Sequence, residues 1–399
     1  MIETDEAKID ELLSRGVAEV IDTDHLRERL ISGEQLRIKL GIDPTSPNLH
    51  LGRSIPLLKL ADFQKLGHQI VFIVGDFTGL IGDTSDKDAE RPMLDEKTVR
   101  ANMEQYTEQA GKIIDLEAAE IKYNSDWLQK LGFKEIGALA DQFSLHEFSA
   151  RENIKKRLDA GTRVSLRELL YPLMQGFDSV AVKADVELGG TDQRFNLLAG
   201  RTLQEHYDQP AQDILMTNLI NGLDGRKMSS SWGNTINLTD SARDMYGKVM
   251  SMPDDLVVTY FEHCTRVGMD EIAEFESRMA DDAMNVKKTL AAEIVRMYHG
   301  EEASDEEADY FDSTFSKKET PTDMPTVTLS PTAEMAYDVV RAFFPEEEKS
   351  NSDIRRLFEQ GAIKRGEDKI SEFDGPLELV DGEVWQVGKR VWFKVSLSS

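Results

Sequence analysis

Two short segments far apart in the chain hold residue types able to handle a phosphate. His50-Leu51-Gly52-Arg53 puts an imidazole and a guanidinium on either side of a glycine, where an expected strand region gives way to a helix. Glycine lets a ligand approach the backbone, and a helix N-terminus favours an anion. Alone this pattern is weak, and a structural histidine is its ordinary reading. Asp224-Gly225-Arg226-Lys227-Met228-Ser229-Ser230-Ser231 is a polar loop with two adjacent cations and three hydroxyls. Such a set can embrace a triphosphate and stabilise charge on departing pyrophosphate. A solvated turn is the competing reading of that loop taken by itself.

Together the two segments resemble the paired signatures of class I aminoacyl-tRNA synthetases, in the same order and with a similar wide separation. Within that class, Tyr171-Pro172-Leu173-Met174-Gln175-Gly176-Phe177-Asp178-Ser179 looks like the pocket helix of tyrosyl-tRNA synthetases, and Glu187-Leu188-Gly189-Gly190-Thr191-Asp192-Gln193 like their substrate loop. On a helix Tyr171, Gln175 and Asp178 sit at i, i+4 and i+7 and share one face. Asp178 can accept a hydrogen bond from a phenol, while Tyr171 and Gln175 can hold an ammonium group. Gly41-Ile42-Asp43-Pro44-Thr45 is similar to the family's strand end, and Leu80-Ile81-Gly82-Asp83 to a turn whose carboxylate meets the amino group.

The resemblance implies a tyrosine site of Asp43, Asp83, Tyr171, Gln175, Asp178 and Gln193. It implies an ATP site of Gly41, Thr45, His50, Gly52, Arg53, Gly190, Asp192, Lys227, Met228 and Ser230. Catalysis would fall to His50, Thr45, Lys227, Ser230 and Ser231, with Lys87 and Arg91 as assisting cations for pyrophosphate. The stretch Ser352 to Ile363 resembles an S4-type RNA-binding module, in which Arg355, Arg356, Lys364 and Arg365 would grip tRNA phosphates. The family further implies ATP taken with Mg²⁺ and no dedicated metal cage, a homodimer, tRNA(Tyr) as partner and a cytoplasmic setting. Three positions depart from the pattern. Arg53 replaces the usual second histidine of the first signature, and Ser230 the usual second lysine of the other. Lys39 stands where many relatives have a pocket tyrosine. A tryptophan-specific sister enzyme, or an RNA-binding protein on this scaffold that no longer activates amino acids, remains open on sequence grounds.

The elements that must position these residues read as α/β with a parallel sheet. Residues 1–33 are expected to be helical. Arg37 to Asp43 reads as a strand stopped by Pro44, followed by a helix over Ser54 to Leu66. The apolar run Ile70-Val71-Phe72-Ile73-Val74 suits a parallel strand buried on both faces, which completes a βαβ unit. Ser179 to Lys183 and Ile214 to Leu219 are further strand candidates. From Ser241 to Gly300 the spacing is helical. Prolines 321, 325 and 331 mark a linker, and the last runs, around Gly388, alternate like short strands. The expected organisation is a Rossmann-like catalytic domain over 1–225, the signature loop and a helical tRNA-binding domain over 226–320, a linker over 321–332 and an S4-like α+β domain over 333–399.

Composition sets the outer limits. The 399 residues include one cysteine, Cys264, so neither a disulfide framework nor a thiolate cluster is available. No apolar run approaches the roughly 20 residues that span a bilayer, and the acidic N-terminus lacks the features of a signal peptide. The net charge of −27 weighs against a nucleic-acid partner. The tail softens that objection, since residues 351–399 hold eight Lys or Arg against nine Asp or Glu, with the basic ones in pairs.

Overall fold

The computed structural model describes residues 2–83, 93–316, 324–329, 335–345, 348–366, 368–374, 377–388 and 391–397. Its contacts divide the chain into two units, Met1–Ser304 and Asp305–Ser399. The predicted cations Lys87 and Arg91 lie outside the described residues.

The first unit is built on a six-stranded sheet of β1 (Val17–Ile21), β2 (Arg37–Ile42), β3 (Gln69–Val74), β4 (Glu120–Tyr123), β5 (Val186–Gly190) and β6 (Asp213–Thr217), in the order β1-β6-β5-β2-β3-β4. Only β1 runs antiparallel, paired to β6. The other pairs are parallel, with Ile38 opposite Ile70 and Leu188 opposite Leu215. Strand β6 is buried throughout and β3 almost so, which explains the apolar runs Ile214–Met216 and Ile70–Val74 within them. The chain leaves β2 toward β3 on one side and comes back as β5 on the other. The strand order therefore reverses between β2 and β5, and an open parallel sheet binds ligands outside the carboxyl ends of its strands at such a point.

Two expectations change here. The first 33 residues are not all helical, because Val17–Ile21 forms an edge strand between the helices Glu6–Ser14 and Thr23–Ile31. Ser179 to Lys183 is not a strand either. The helix Leu166–Val182, opened by a capping box of Ser165 and Glu168, runs on to Lys183, which takes a left-handed conformation and stops it. Val180 and Val182 suit a strand by propensity, but packing decides otherwise. Gly176 lies so close to the backbone of Ala199 that an added Cβ would sit 3.0 Å from it, locking this helix against Arg194–His206. Beyond the sheet, Ala242–Ser251, Val257–Cys264 and Met269–His299 are helical as the spacing predicts, the last with a kink at Asp282.

The second unit carries a five-stranded sheet of β7 (Thr326–Leu329), β8 (Ile363–Arg365), β9 (Asp368–Ile370), β10 (Val384–Val387) and β11 (Val391–Leu397), in the order β7-β11-β10-β8-β9. Part of the expected linker is thus a strand, β7, paired in parallel with β11. Helices Ala336–Phe343 and Asn351–Glu359 contribute Val339, Val340, Ile354 and Phe358 to a core shared with Trp385 and Phe393. The runs around Gly388 are strands as expected, and they pair antiparallel.

Candidate active site

A cavity of about 760 Å³ opens at the reversal point between β2 and β5. It is lined by Gly41, Asp43, Thr45, His50, Gly52, Arg53, Asp83, Tyr171, Gln175, Asp178, Gly190, Asp192, Gln193, Lys227, Met228, Ser230 and Ser231. Every tyrosine-site and ATP-site residue named from the sequence is in that set. Arg355, Arg356, Lys364 and Arg365 belong to the second unit.

At one end, Asp178 is buried and accepts hydrogen bonds from Trp127 Nε1 at 2.8 Å and Asn124 Nδ2 at 3.2 Å. Burial pushes its carboxyl up to about 7, opposed by the charge of Lys39 and by those two donors. Asp43 directly follows β2 and accepts from Thr78 Oγ1 at 2.7 Å and Tyr171 Oη at 2.9 Å. Burial raises it to about 6, with both hydroxyls pulling the other way. Because Tyr171 donates to Asp43, its oxygen is left to accept from a cation. Gly75 is obligatory at this end, since a Cβ there would sit 2.1 Å from Asp43 Oδ1. Gln193 donates to Asp83 at 2.7 Å, so the segment after β5 is tied to the turn after the helix Thr78–Ile81. Sequence reasoning missed Asn124, Trp127 and Thr78. They come from separate segments, and only their meeting around two carboxylates marks them.

At the other end, His50 occupies the N-cap position of the helix Leu51–Lys65 without capping it. Its Nδ1 is buried and has no hydrogen-bond partner among the described residues. Burial, then the charges of Arg53 and Lys227, lower its pKa to about 3, which keeps the ring neutral. A Cβ on Gly52 would lie 3.1 Å from that nitrogen, so the glycine leaves room for the ring. The two signatures are stitched together: Leu51 N–H donates to Ile236 O, Leu238 N–H to Leu49 O, and Gly52 N–H meets Met228 Sδ at 3.2 Å. Lys227 Nζ reaches Asp192 at 2.8 Å. The loop is organised by Asn234, whose side chain accepts from Ser229 N–H and donates to Asp224 and to the carbonyl of Lys227. Hydrogen bonds from Asn234 and Arg226 hold Asp224 down at about 2. Arg53 donates to Thr45 Oγ1 at 3.1 Å and to Tyr106 Oη, so it turns into the cavity rather than toward a surface carboxylate. Tyr106, on the helix Glu96–Ala110, is a further contact that its sequence surroundings did not announce.

The arrangement offers one end for a small amphoteric molecule with a hydroxyl, and another for an anion. A family model described as tRNA synthetases class I (W and Y) matches residues 32–316. The tyrosine–tRNA ligase of Moorella thermoacetica is 43% identical over 388 residues, covering 95% of this chain and 93% of that protein. The tyrosine–tRNA ligase of Thermotoga maritima is 40% identical over 389 residues, covering 96% of each. Among solved structures, the tyrosyl-tRNA synthetase of Archaeoglobus fulgidus complexed with L-tyrosine matches with a TM-score of 0.61 at 20% identity, over 76% of this chain and 100% of that one. That last likeness speaks for the fold alone.

Proposed function

The chain belongs to the tyrosine–tRNA ligases within the class I tRNA synthetases, and from that membership we propose how its residues divide the work. The reaction has two steps. The tyrosine carboxylate attacks the α-phosphorus of ATP and pyrophosphate leaves; a ribose hydroxyl of tRNA(Tyr) then attacks the acyl carbon and AMP leaves.

Asp178, held by Trp127 and Asn124, accepts the substrate phenol. Tyr171, Gln175 and Asp83 surround the α-ammonium. His50, Thr45, Arg53, Lys227, Ser230 and Ser231 face the nucleotide, which arrives as its Mg²⁺ complex, and the Gly41, Gly190 and Asp192 side of the cavity takes the remainder of ATP. Little covalent chemistry is asked of the protein. Rate comes from aligning carboxylate and phosphorus and from stabilising charge on the departing pyrophosphate. The single observation that carries this reading is one cavity with a buried, doubly bonded carboxylate at one end and both signatures at the other. ATP–pyrophosphate exchange with each of the twenty amino acids tests it. Tyrosine alone should support rapid exchange, and a preference for tryptophan would sink the assignment.

Two features support a tRNA-bound homodimer. Phe133, Leu145, Leu158, Leu166 and Leu170 are exposed apolar side chains within one stretch of the first unit, with Phe133 95% and Leu166 78% accessible, as a surface awaiting a second copy would be. In the second unit Arg355 and Arg356 are exposed, whereas Arg365 is held by Glu383 and the carbonyl of Glu378. The paired arginines and Lys364 are therefore the better phosphate contacts. Deleting 333–399 should leave tyrosine activation intact and severely weaken tRNA charging. The same reading sets the enzyme in the cytoplasm with its tRNA. Among the described residues no helix is long and apolar enough to cross a membrane.

A further inference from the structure

Directly beneath the amino-acid end lies an ion pair that lines no part of the cavity. Lys39 on β2 and Glu187 on β5 are 0% and 1% exposed, with Nζ 2.8 Å from Oε1. All three donors of the ammonium are used: Glu187, Ser179 Oγ at 2.8 Å and the carbonyl of Gln175 at 2.9 Å. Glu187 accepts in turn from Ser179 Oγ at 2.9 Å, from Gln212 Nε2 and, on the same Oε1 that Lys39 holds, from Gln175 Nε2 at 3.1 Å.

This connectivity has a fixed polarity. An ammonium can only donate, and an ionised carboxylate can only accept. Gln175 must therefore turn its nitrogen inward to Glu187, which leaves its oxygen for the cavity. An amide can otherwise present either end, so its orientation decides whether it attracts a donor or an acceptor.

We propose that Lys39 and Glu187 are a positioning pair that fixes the polarity of Gln175, presenting its amide oxygen to the α-ammonium of the amino acid. The proposal rests on the reading of this cavity as an amino-acid site. It accounts for a lysine at Lys39, where a pocket side chain could have touched the ligand directly: the cation acts one layer down, through Glu187.

The test compares L-tyrosine with 3-(4-hydroxyphenyl)propionate, which keeps the phenol and lacks the amino group. Replacing a buried ion pair by apolar residues of similar volume is often tolerated by the fold, so the variant is Lys39→Met/Glu187→Met. It should raise KM for tyrosine about tenfold with kcat nearly unchanged, as loss of a charge-assisted hydrogen bond implies. Its affinity for the propionate should fall distinctly less, because losing the Lys39 charge raises Asp178 for both ligands while only tyrosine carries the ammonium. Glu187→Gln should restore tyrosine binding to within about threefold of wild type, because an amide oxygen can still accept from Lys39 and Gln175. Its nitrogen can turn to Gln212, whose Oε1 has no partner among the described residues.

Equal losses for both ligands, or none for tyrosine, would overturn the positioning role while leaving the activity assignment standing. Wild-type protein that binds no tyrosine would overturn both. A measurement independent of variant folding is a structure of the wild-type tyrosine complex. There, Gln175 Nε2 on the ammonium instead of on Glu187 would end the proposal.

Discussion

The two ends of the cavity, proposed above as its amino-acid and nucleotide ends, hold their polar groups in different ways. At the amino-acid end the scaffold satisfies them: Asp178 by Trp127 and Asn124, Asp43 by Thr78 and Tyr171, Glu187 by Lys39. These groups are buried, and the two pocket aspartates have carboxyls pushed up by that burial. At the nucleotide end the cations rest on acceptors of the protein's own, Lys227 on Asp192, Arg226 on Asp224 and Arg53 on Thr45 and Tyr106. Lys227 is one-third exposed. Selectivity needs donors and acceptors fixed before the ligand arrives, since a misfit then leaves buried groups unpaired. Phosphate chemistry needs cations that can change partners as charge moves. Substitutions at the first end should act on binding, and those at the second on rate.

The largest expected effect is at Lys227. Lys227→Met should slow adenylate formation roughly a hundred- to a thousandfold, the range for removing one preorganised group that stabilises transition-state charge, with tyrosine affinity unchanged. Single-turnover activation paired with equilibrium dialysis separates the two, and a comparable loss of tyrosine affinity would erase the contrast between the ends. Next is Asp178→Ala, which removes the proposed phenol acceptor and strands the Trp127 and Asn124 donors. It should weaken tyrosine binding by about 1.5–3 kcal/mol and narrow the preference for tyrosine over phenylalanine. Wild-type efficiency in that variant would show that the phenol binds elsewhere.

How far each end was legible in the sequence follows the same division. The nucleotide end is built from contiguous segments, so His50 to Arg53 and Asp224 to Ser231 could be read directly. Tyr171, Gln175 and Asp178 were legible because helical spacing puts them on one face. Their supports were not. Asn124 and Trp127 arrive from the segment after β4, Thr78 from the start of the short helix after β3, and Glu187 reaches Lys39 across paired strands. Such partners are set by strand order, which periodicity does not encode. The same limit explains β1 and β7. Each is a short edge strand whose pairing partner lies far away in sequence, β6 for one and β11 for the other. The valines at 180 and 182 misled for the opposite reason, being strand formers held in a helix by the close approach at Gly176.

Arg53 sharpens the comparison at moderate scale. It stands in the nucleotide end, yet two hydrogen bonds already hold it. Arg53→Ala should slow adenylate formation about tenfold, the effect of losing one charge-assisted hydrogen bond, and leave tyrosine affinity alone. Arg53→His should recover part of the rate, since a shorter donor can still reach the nucleotide. Pre-steady-state activation is the measurement, and an alanine variant with the wild-type rate would leave His50 as the working side chain of that signature.

The smallest effect, and the most direct probe of the prebuilt end, is Trp127→Phe. Burial raises the Asp178 carboxyl from 3.8 to about 7, and the Trp127 indole is one of the groups holding it down. The sign for folding follows from the raised value. Proton uptake by Asp178 favours the native state fully below about pH 4, and that contribution is lost as pH rises through about 7. On the proposed assignment tyrosine binding runs the opposite way, because the carboxylate form accepts a hydrogen bond from the phenol. Affinity in the wild type should therefore fall as pH drops below about 7, with a second inflection near 6 from Asp43. Phenylalanine keeps an aromatic ring at this position, smaller than the indole, but donates nothing, so the anion loses one stabilising bond and the first inflection moves upward. At pH 7.5 tyrosine should bind several-fold more weakly, on the order of one hydrogen bond, and the gap should close partly by pH 8.5. Equilibrium dialysis with labelled tyrosine across this range checks it. An inflection that stays in place would mean that Trp127 packs against Asp178 without setting its charge, and that rigidity at this end owes more to burial than to the bonds around the carboxylate.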